Sequence, residues 1–272
     1  MGVALVLLAC SEAVSSSLEI QWVAIGNPGN APDPETERGS VGYTYEISAT
    51  EITNAQFVEY LNETDPLANN HANRFVRTYP RSLPGITFSP RILPGVEYVP
   101  QNSPGSKYTI KQGQENHPAT VIWSAAARYA NWLHNGKGSG DTEDGAYSLA
   151  GGGGYLDFYV GVERNPGSRV AIPTMDEWYK AAFHDAGAGT SGLYFEYPTS
   201  SNSAPSAASP FIDPSGSNYQ GVVGGFTDVG AYYLASSPYG TYDQAGNAFE
   251  WLETYWGYNA NAGLRASVGG NL

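Results

Sequence analysis

The sequence predicts an α+β fold: one compact domain with low regular secondary structure, in which a few helices and short strands are separated by long irregular segments. Of its 272 residues 33 are Gly, 18 Pro and 20 Tyr, while only 14% are charged, which describes a turn-rich chain and not a helical bundle. Capping signals joined to helical periodicity occur at a few well-separated places only. No charge run or low-complexity linker divides the chain, and a hydrophobic content of 41% suffices for one core.

The first 17 residues, MGVALVLLACSEAVSSS, form an apolar run ending in small residues, the pattern of an export signal, although no Lys or Arg precedes it. The run is too short to cross a membrane, which takes about 20 apolar residues. The only cysteine, Cys10 in LLAC, resembles a lipoprotein processing box whose thiol carries a lipid anchor. It reads equally as a passenger in a signal cut near Ala13. Both readings place the protein outside the cytoplasm, whether extracellular, periplasmic or lipid-anchored, with the domain proper at residues 18–272.

Beyond the leader, YTYEIS (Tyr43 to Ser48) alternates as a strand does. In TNAQFVEYLN, Thr53 and Gln56 form a capping box, and Phe57, Tyr60 and Leu61 share one face. A second helix runs from about Trp123 to His134, with Ala126, Ala127, Ala130 and Leu133 at helical spacing and Gly136 as its stop. A third begins at PTMDEWYKAAF, where Thr174 and Glu177 make another capping box and Trp178, Ala181 and Ala182 the buried face. The polar run Pro198 to Pro210 reads as an exposed loop.

Charge and residue supply exclude several functions. Thirteen basic against 26 acidic residues leave a formal charge of −13, which repels nucleic acid and anionic membranes alike. With one cysteine, in the leader, the body has no disulfide scaffold, thiolate metal site or cysteine nucleophile. His71, His117, His134 and His184 show no paired ligand spacing, and structural or surface roles are expected for each. There is no G-x-S-x-G elbow, and Gly151 to Gly154 lack the Lys-Ser or Lys-Thr of a phosphate loop.

Five segments, taken in order, resemble the formylglycine-generating enzyme or sulfatase-modifying factor family. They are WVAIGNPGN (Trp22 to Asn30), YEISATEITNAQFVEYLN (Tyr45 to Asn62), HPATVIWSAAARYANWL (His117 to Leu133), IPTMDEWYKAAF (Ile172 to Phe183) and SPYGTYDQAGNAFEW (Ser237 to Trp251). The resemblance implies a variant of the C-type lectin fold: a single domain framed by the first two helices and a small twisted antiparallel sheet.

Within YDQAGNAFEW, Asp243, Gly246, Ala248 and Glu250 place oxygens at spacings that let one tight loop curl round a hard cation. In the family this stretch resembles, the same spacing supplies a calcium site, with Asp243 standing where Asn is common. Calcium takes about six to eight oxygens, so waters or another segment must complete the shell. The competing reading is a buried turn, in which Glu250 and Asn247 satisfy backbone groups while Phe249 and Trp251 fill the core.

The family's oxidase activity depends on two cysteines after the tryptophan-rich loop, which bind copper and convert a substrate cysteine to formylglycine. Neither is present here, so copper is not expected in this chain. GLRAS (Gly263 to Ser267) resembles the segment that follows the family's Gly-Gly-Ser-Trp turn, but that turn and the closing strand are missing, so the C-terminal end reads as incomplete. The iron-dependent sulfur-transfer relatives draw histidines from an extra helical domain that this chain is too short to hold.

Two functions follow. One is an exported, calcium-stabilised, non-catalytic relative that binds a protein or glycan, with Tyr255, Trp256, Tyr258, Asn259 and Asn261 as its candidate ligand surface. Against that surface stands the tendency of Trp and Tyr to be buried. The other is a formylglycine-generating oxidoreductase, or another oxidoreductase of the family, in a truncated reading frame.

Overall fold

A computed structural model describes residues 3–4, 8–9, 18–69, 94–149, 161–255 and 265–270. Two of the helices start at a side-chain capping box and one does not. α1 (Asn54–Thr64) starts from Thr53, whose hydroxyl accepts from Gln56 N while Gln56 Oε1 accepts from Thr53 N at 2.9 Å. α2 (Trp123–His134) has no side-chain cap, and it holds by burial of its alanine face and of Trp123, Tyr129 and Trp132. α3 (Met175–Phe183) repeats the capping box with Thr174 and Glu177, and Asp176 and Glu177 add negative charge at its positive end.

The strands are short. β1 (Val3–Ala4), β2 (Leu8–Ala9), β3 (Trp22–Ile25), β4 (Tyr45–Ser48), β5 (Val96–Tyr98), β6 (Tyr108–Ile110), β7 (Val170–Ala171), β8 (Phe249–Tyr255) and β9 (Arg265–Gly269) make three small sheets. Their orders are β1-β8-β9, β3-β4-β2-β7 and β5-β6, and every pairing is antiparallel except β1 with β8. The apolar run read as a leader therefore has strand partners. Leu8 stands opposite both Ile47 and Ala171, so β2 joins β4 to β7.

One core gathers α1, α2 and the sheet. Phe57 and Tyr60 from α1 meet Tyr129 and Trp132 from α2, with ring centroids 5.2–5.5 Å apart. A second centre is polar. Arg164 forks onto Glu177 with Nη1 and Nη2 at 3.0 and 2.9 Å, and its Nε reaches Glu253 Oε2 at 2.9 Å. Tyr43 and the Thr174 amide also donate to Glu177, which is 1% exposed. Burial pushes the Glu177 carboxyl up, but the Arg164 hydrogen bond and charge outweigh it and hold the group below its usual range.

Replacing Arg164 by Met leaves two acids in the interior without a cation, and the expected loss is about 3–5 kcal/mol. A carboxyl with a lowered folded pKa stabilises above its ordinary pKa and stops doing so as pH falls through the lowered value. Urea unfolding of wild type and Arg164→Met should therefore differ most near neutral pH, and the gap should narrow below about pH 4, the ordinary carboxylate range.

Candidate functional site

The loop Tyr242–Trp251 is bent by its own residues. Asp243 and Asn247 both have left-handed backbones (φ 65° and 59°), a region that Asn and Asp tolerate better than other non-glycine residues. Gly246 N donates to Asp243 O at 3.0 Å and closes a turn. A Cβ on Gly246 would lie 2.4 Å from Asn218 O, so only glycine fits against that strand of chain. Asn247 N donates to the same Asn218 oxygen at 2.8 Å. Its carboxamide then accepts from Thr227 N and donates to Glu51 Oε1, at 3.0 and 3.1 Å. The loop is pinned from both sides before any ion is considered.

Glu51, two residues ahead of the α1 cap, is the partner that sequence reasoning missed. Its Oε1 also accepts from Ala248 N at 3.4 Å, so it grips the loop between Asp243 and Glu250. Trp178 of α3 donates its indole N–H to Glu250 Oε2. The Gly230 amide donates to Asp243 Oδ2 at 2.6 Å. Glu51, Asp243 and Glu250 are 1%, 8% and 0% exposed, so water does not solvate them. Each nonetheless keeps one oxygen without a hydrogen-bond donor: Glu51 Oε2, Asp243 Oδ1 and Glu250 Oε1. Buried acceptors left unpaired are costly, and charged ones most of all.

Burial is the main cause that pushes all three carboxyls upward. Glu51 goes well above the usual range, helped by the charges of Asp243 and Glu250. Asp243 rises to about 6 against the Gly230 and Glu51 contacts, and Glu250 rises to about 8 against the Trp178 hydrogen bond. Three acids share one dry space, and the Arg, Lys and His partners of the described ion pairs lie elsewhere. Protons relieve such a cluster, and so would a hard divalent cation. Among the described residues no group of three or more His, Cys, Asp or Glu side chains stands ready to hold a metal ion. An ion here would therefore draw on main-chain carbonyls such as those of Gly246 and Ala248 as well as on carboxylates, a donor set suited to calcium and not to zinc. The orphaned buried oxygens fit that group.

Of the candidate ligand surface, Tyr255 is half-buried, and its ring lies 3.9 Å from the Arg265 guanidinium, which has Trp123 on another side at 4.1 Å. Trp256, Tyr258, Asn259 and Asn261 lie outside the described residues, as do Cys10, His71 and Gly151 to Gly154. A different apolar surface is open: Phe211 and Ile212 are 98% and 82% exposed, and the Leu234 amide donates to Pro214 O at 3.1 Å, bringing exposed Tyr233 and Leu234 beside them. The described histidines serve the fold. His117 lies 3.6 Å from Asp228, His134 Nδ1 accepts from Arg169 N, and buried His184 bridges Tyr239 and Ser191 O.

Residues 23–272 match the family model of the sulfatase-modifying factor enzyme 1-like domain. No curated protein and no solved structure matches the chain.

The pKa directions give a pH signature for the ion-free protein. Acids whose folded pKa is raised stabilise fully below their ordinary pKa, and that contribution is lost as pH rises through the raised value. In excess chelator the protein should melt lower at pH 8 than at pH 5, the window set by values of about 6 and about 8. Glu250→Gln should flatten that slope in thermal melts. A wild type with no loss between these pH values would mean that a cationic partner already balances the cluster.

Proposed function

The chain belongs to the sulfatase-modifying factor enzyme 1-like family, and from that premise we infer that it is a calcium-braced, non-oxidase member that acts as a binding module. The observation that carries the reading is the set of orphaned, buried oxygens on Glu51, Asp243 and Glu250. Calcium held by Asp243, Glu250 and the Gly246 and Ala248 carbonyls would supply charge balance where the protein supplies none. Trp178, the Asn218 main chain and the Gly230 amide hold those groups in place. The chemistry is structural: the ion would fasten the start of β8 to its surroundings.

Formylglycine formation needs low-valent copper held by soft thiolates, and the 272 residues contain one cysteine. The described histidines are tied to Asp228, Arg169, Tyr239 and Ser191 in separate parts of the fold and offer no substitute pair. Binding remains, and the exposed Phe211, Ile212, Val222 and Leu234 favour the apolar side chains of a protein over a glycan, which needs hydrogen-bonding groups.

The apolar start supports export, to a side of the membrane where calcium is plentiful. A mature chain that begins at or after Cys10 would lack β1 and β2. Intact mass of the protein in culture fractions should show residues 1–9 gone, whereas a chain that keeps them in the cytoplasm would remove the export reading.

Two further measurements test the core of the proposal. A cation that binds only the folded state adds RT ln(1 + [L]/Kd), about 2.7 kcal/mol at a hundredfold excess over Kd. Chelator should lower the melting temperature and added calcium restore it. Purified protein given copper, reductant and a sulfatase-type cysteine peptide should leave the peptide mass unchanged. Formylglycine in that peptide would restore the oxidoreductase reading.

A further inference from the structure

The four-stranded sheet draws one of its inner strands from outside the family domain. Its order is β3-β4-β2-β7, and β2 runs antiparallel to both neighbours, with Leu8 opposite Ile47 and Ala171, and Ala9 opposite Glu46 and Val170. The family model begins at residue 23, so β2 lies outside it while both walls, β4 and β7, lie within. The domain proper therefore supplies a gap one strand wide. Strands in a sheet lie about 4.7–4.9 Å apart, which sets the walls roughly 10 Å from each other, too far to pair directly.

The walls are held without the strand between them. β4 is paired along all four residues with β3 on its other edge, and Ala49 N just beyond it donates to Gln21 O at 2.8 Å. β7 is fixed at both ends, by Arg169 N donating to His134 Nδ1 and Ile172 N donating to the Tyr147 hydroxyl, each at 3.0 Å. Ile47 and Ala171 are 0% and 1% exposed. An empty gap would bare these apolar residues and leave main-chain N–H and C=O groups of both walls without partners. A second strand has to fill it.

We propose that the gap between β4 and β7 is a strand-acceptor site: in the processed chain it takes an extended, apolar, proline-free segment of a partner protein, and in the full chain residues 8–9 occupy it. The inference rests on the binding-module and export readings above and names the partner chemistry that they leave open. An added strand gains affinity from main-chain hydrogen bonds and specificity from alternate side chains. Here the incoming strand runs antiparallel to both walls, as β2 does. Pairing on two edges uses every N–H of the segment, which excludes proline. Ile47 and Ala171, flanking one position from its two sides, select an apolar residue there. A glycan cannot extend a backbone ladder. The formal charge of −13 favours basic residues on either side of the segment.

The probe is a fluorescein-labelled peptide of residues 3–9 with a lysine tail, read by anisotropy. It is titrated into the full chain, the full chain with Leu8→Pro, and the processed chain recovered from culture fractions. The full chain should bind weakest, because its own strand competes at high effective concentration. Leu8→Pro and the processed chain should each bind about tenfold tighter or more, since proline removes an N–H that the ladder uses. Leu8→Pro should also melt lower than wild type, with the peptide restoring the melt in the variant only. Leu8→Gly, which keeps the N–H but loosens the strand, should fall between wild type and proline and guards against misfolding as the cause. A peptide N-methylated at alternate residues keeps its side chains but loses donors, and should bind about tenfold more weakly. A benzophenone at the position of Leu8 should cross-link to the segments around Ile47 and Ala171.

Equal affinity of all three forms overturns the proposal. So does an N-methylated peptide that binds as well as its parent, which is the signature of apolar adsorption. Cross-links centred on Phe211 or Leu234 overturn it too and move binding to that surface. A protein that keeps residues 1–9 in the cell removes the export reading alone, because Leu8→Pro in the full chain still reports on the gap.

Discussion

The constraint on which the rest of the site depends is the burial of Glu51, Asp243 and Glu250 with no described Lys, Arg or His paired to them. The chain buries acids in two ways. Around Arg164 it brings its own cation, which satisfies Glu177 and Glu253 through a fork of charged hydrogen bonds and keeps Glu177 ionised. Around Asp243 it brings amides, an indole and carboxamides, which satisfy some acceptors and leave three carboxylate oxygens open. Neutral donors orient a carboxylate but do not cancel its charge. The first arrangement is finished within the chain, and the second requires either protons or an ion from solution.

Irregular backbone raises a related problem, since a domain with this little helix and sheet must satisfy many main-chain groups in other ways. Asparagine does much of it. Asn131 accepts from Tyr147 N and donates to Thr142 O and Tyr147 O, which fastens the segment after α2 onto that helix. Asn30 donates to Gly39 O and accepts from Val41 N, closing the loop between β3 and β4. Asn247 does the same among Thr227, Asn218 and Glu51. A carboxamide offers both a donor and an acceptor at one point, so it can stand in for a missing ladder partner without adding charge. The loop Asp243–Glu250 is thus one instance of a method used across the described residues.

Legibility in the sequence tracked the range of the interactions. The capping boxes of α1 and α3 are contained within four residues, and both helices start where Thr53 and Thr174 say they should. The loop Asp243–Glu250 was readable for the same reason, because its turn and its left-handed residues are local. Strands β2 and β7 were not, since two residues carry no periodicity and their pairing is decided by Ile47 and by each other. Glu51 escaped for a stronger reason. Nothing near it in sequence marks it as different from a helix-flanking acid, and only the folded chain brings it to Asn247 and Ala248. A hint was present: it sits between Ala49 and Ile52, both buried, where a solvated glutamate has no place.

The three buried acids also couple the segments around them. Trp178 of α3 donates to Glu250, the Gly230 amide to Asp243, and Asn247 and Ala248 to Glu51. Replacing one of them alone disturbs the contacts of the others, and replacing all together requires a new apolar packing at the junction of these segments. A change at any one of these acids is therefore felt by the others, whereas Phe211 and Leu234 stand exposed.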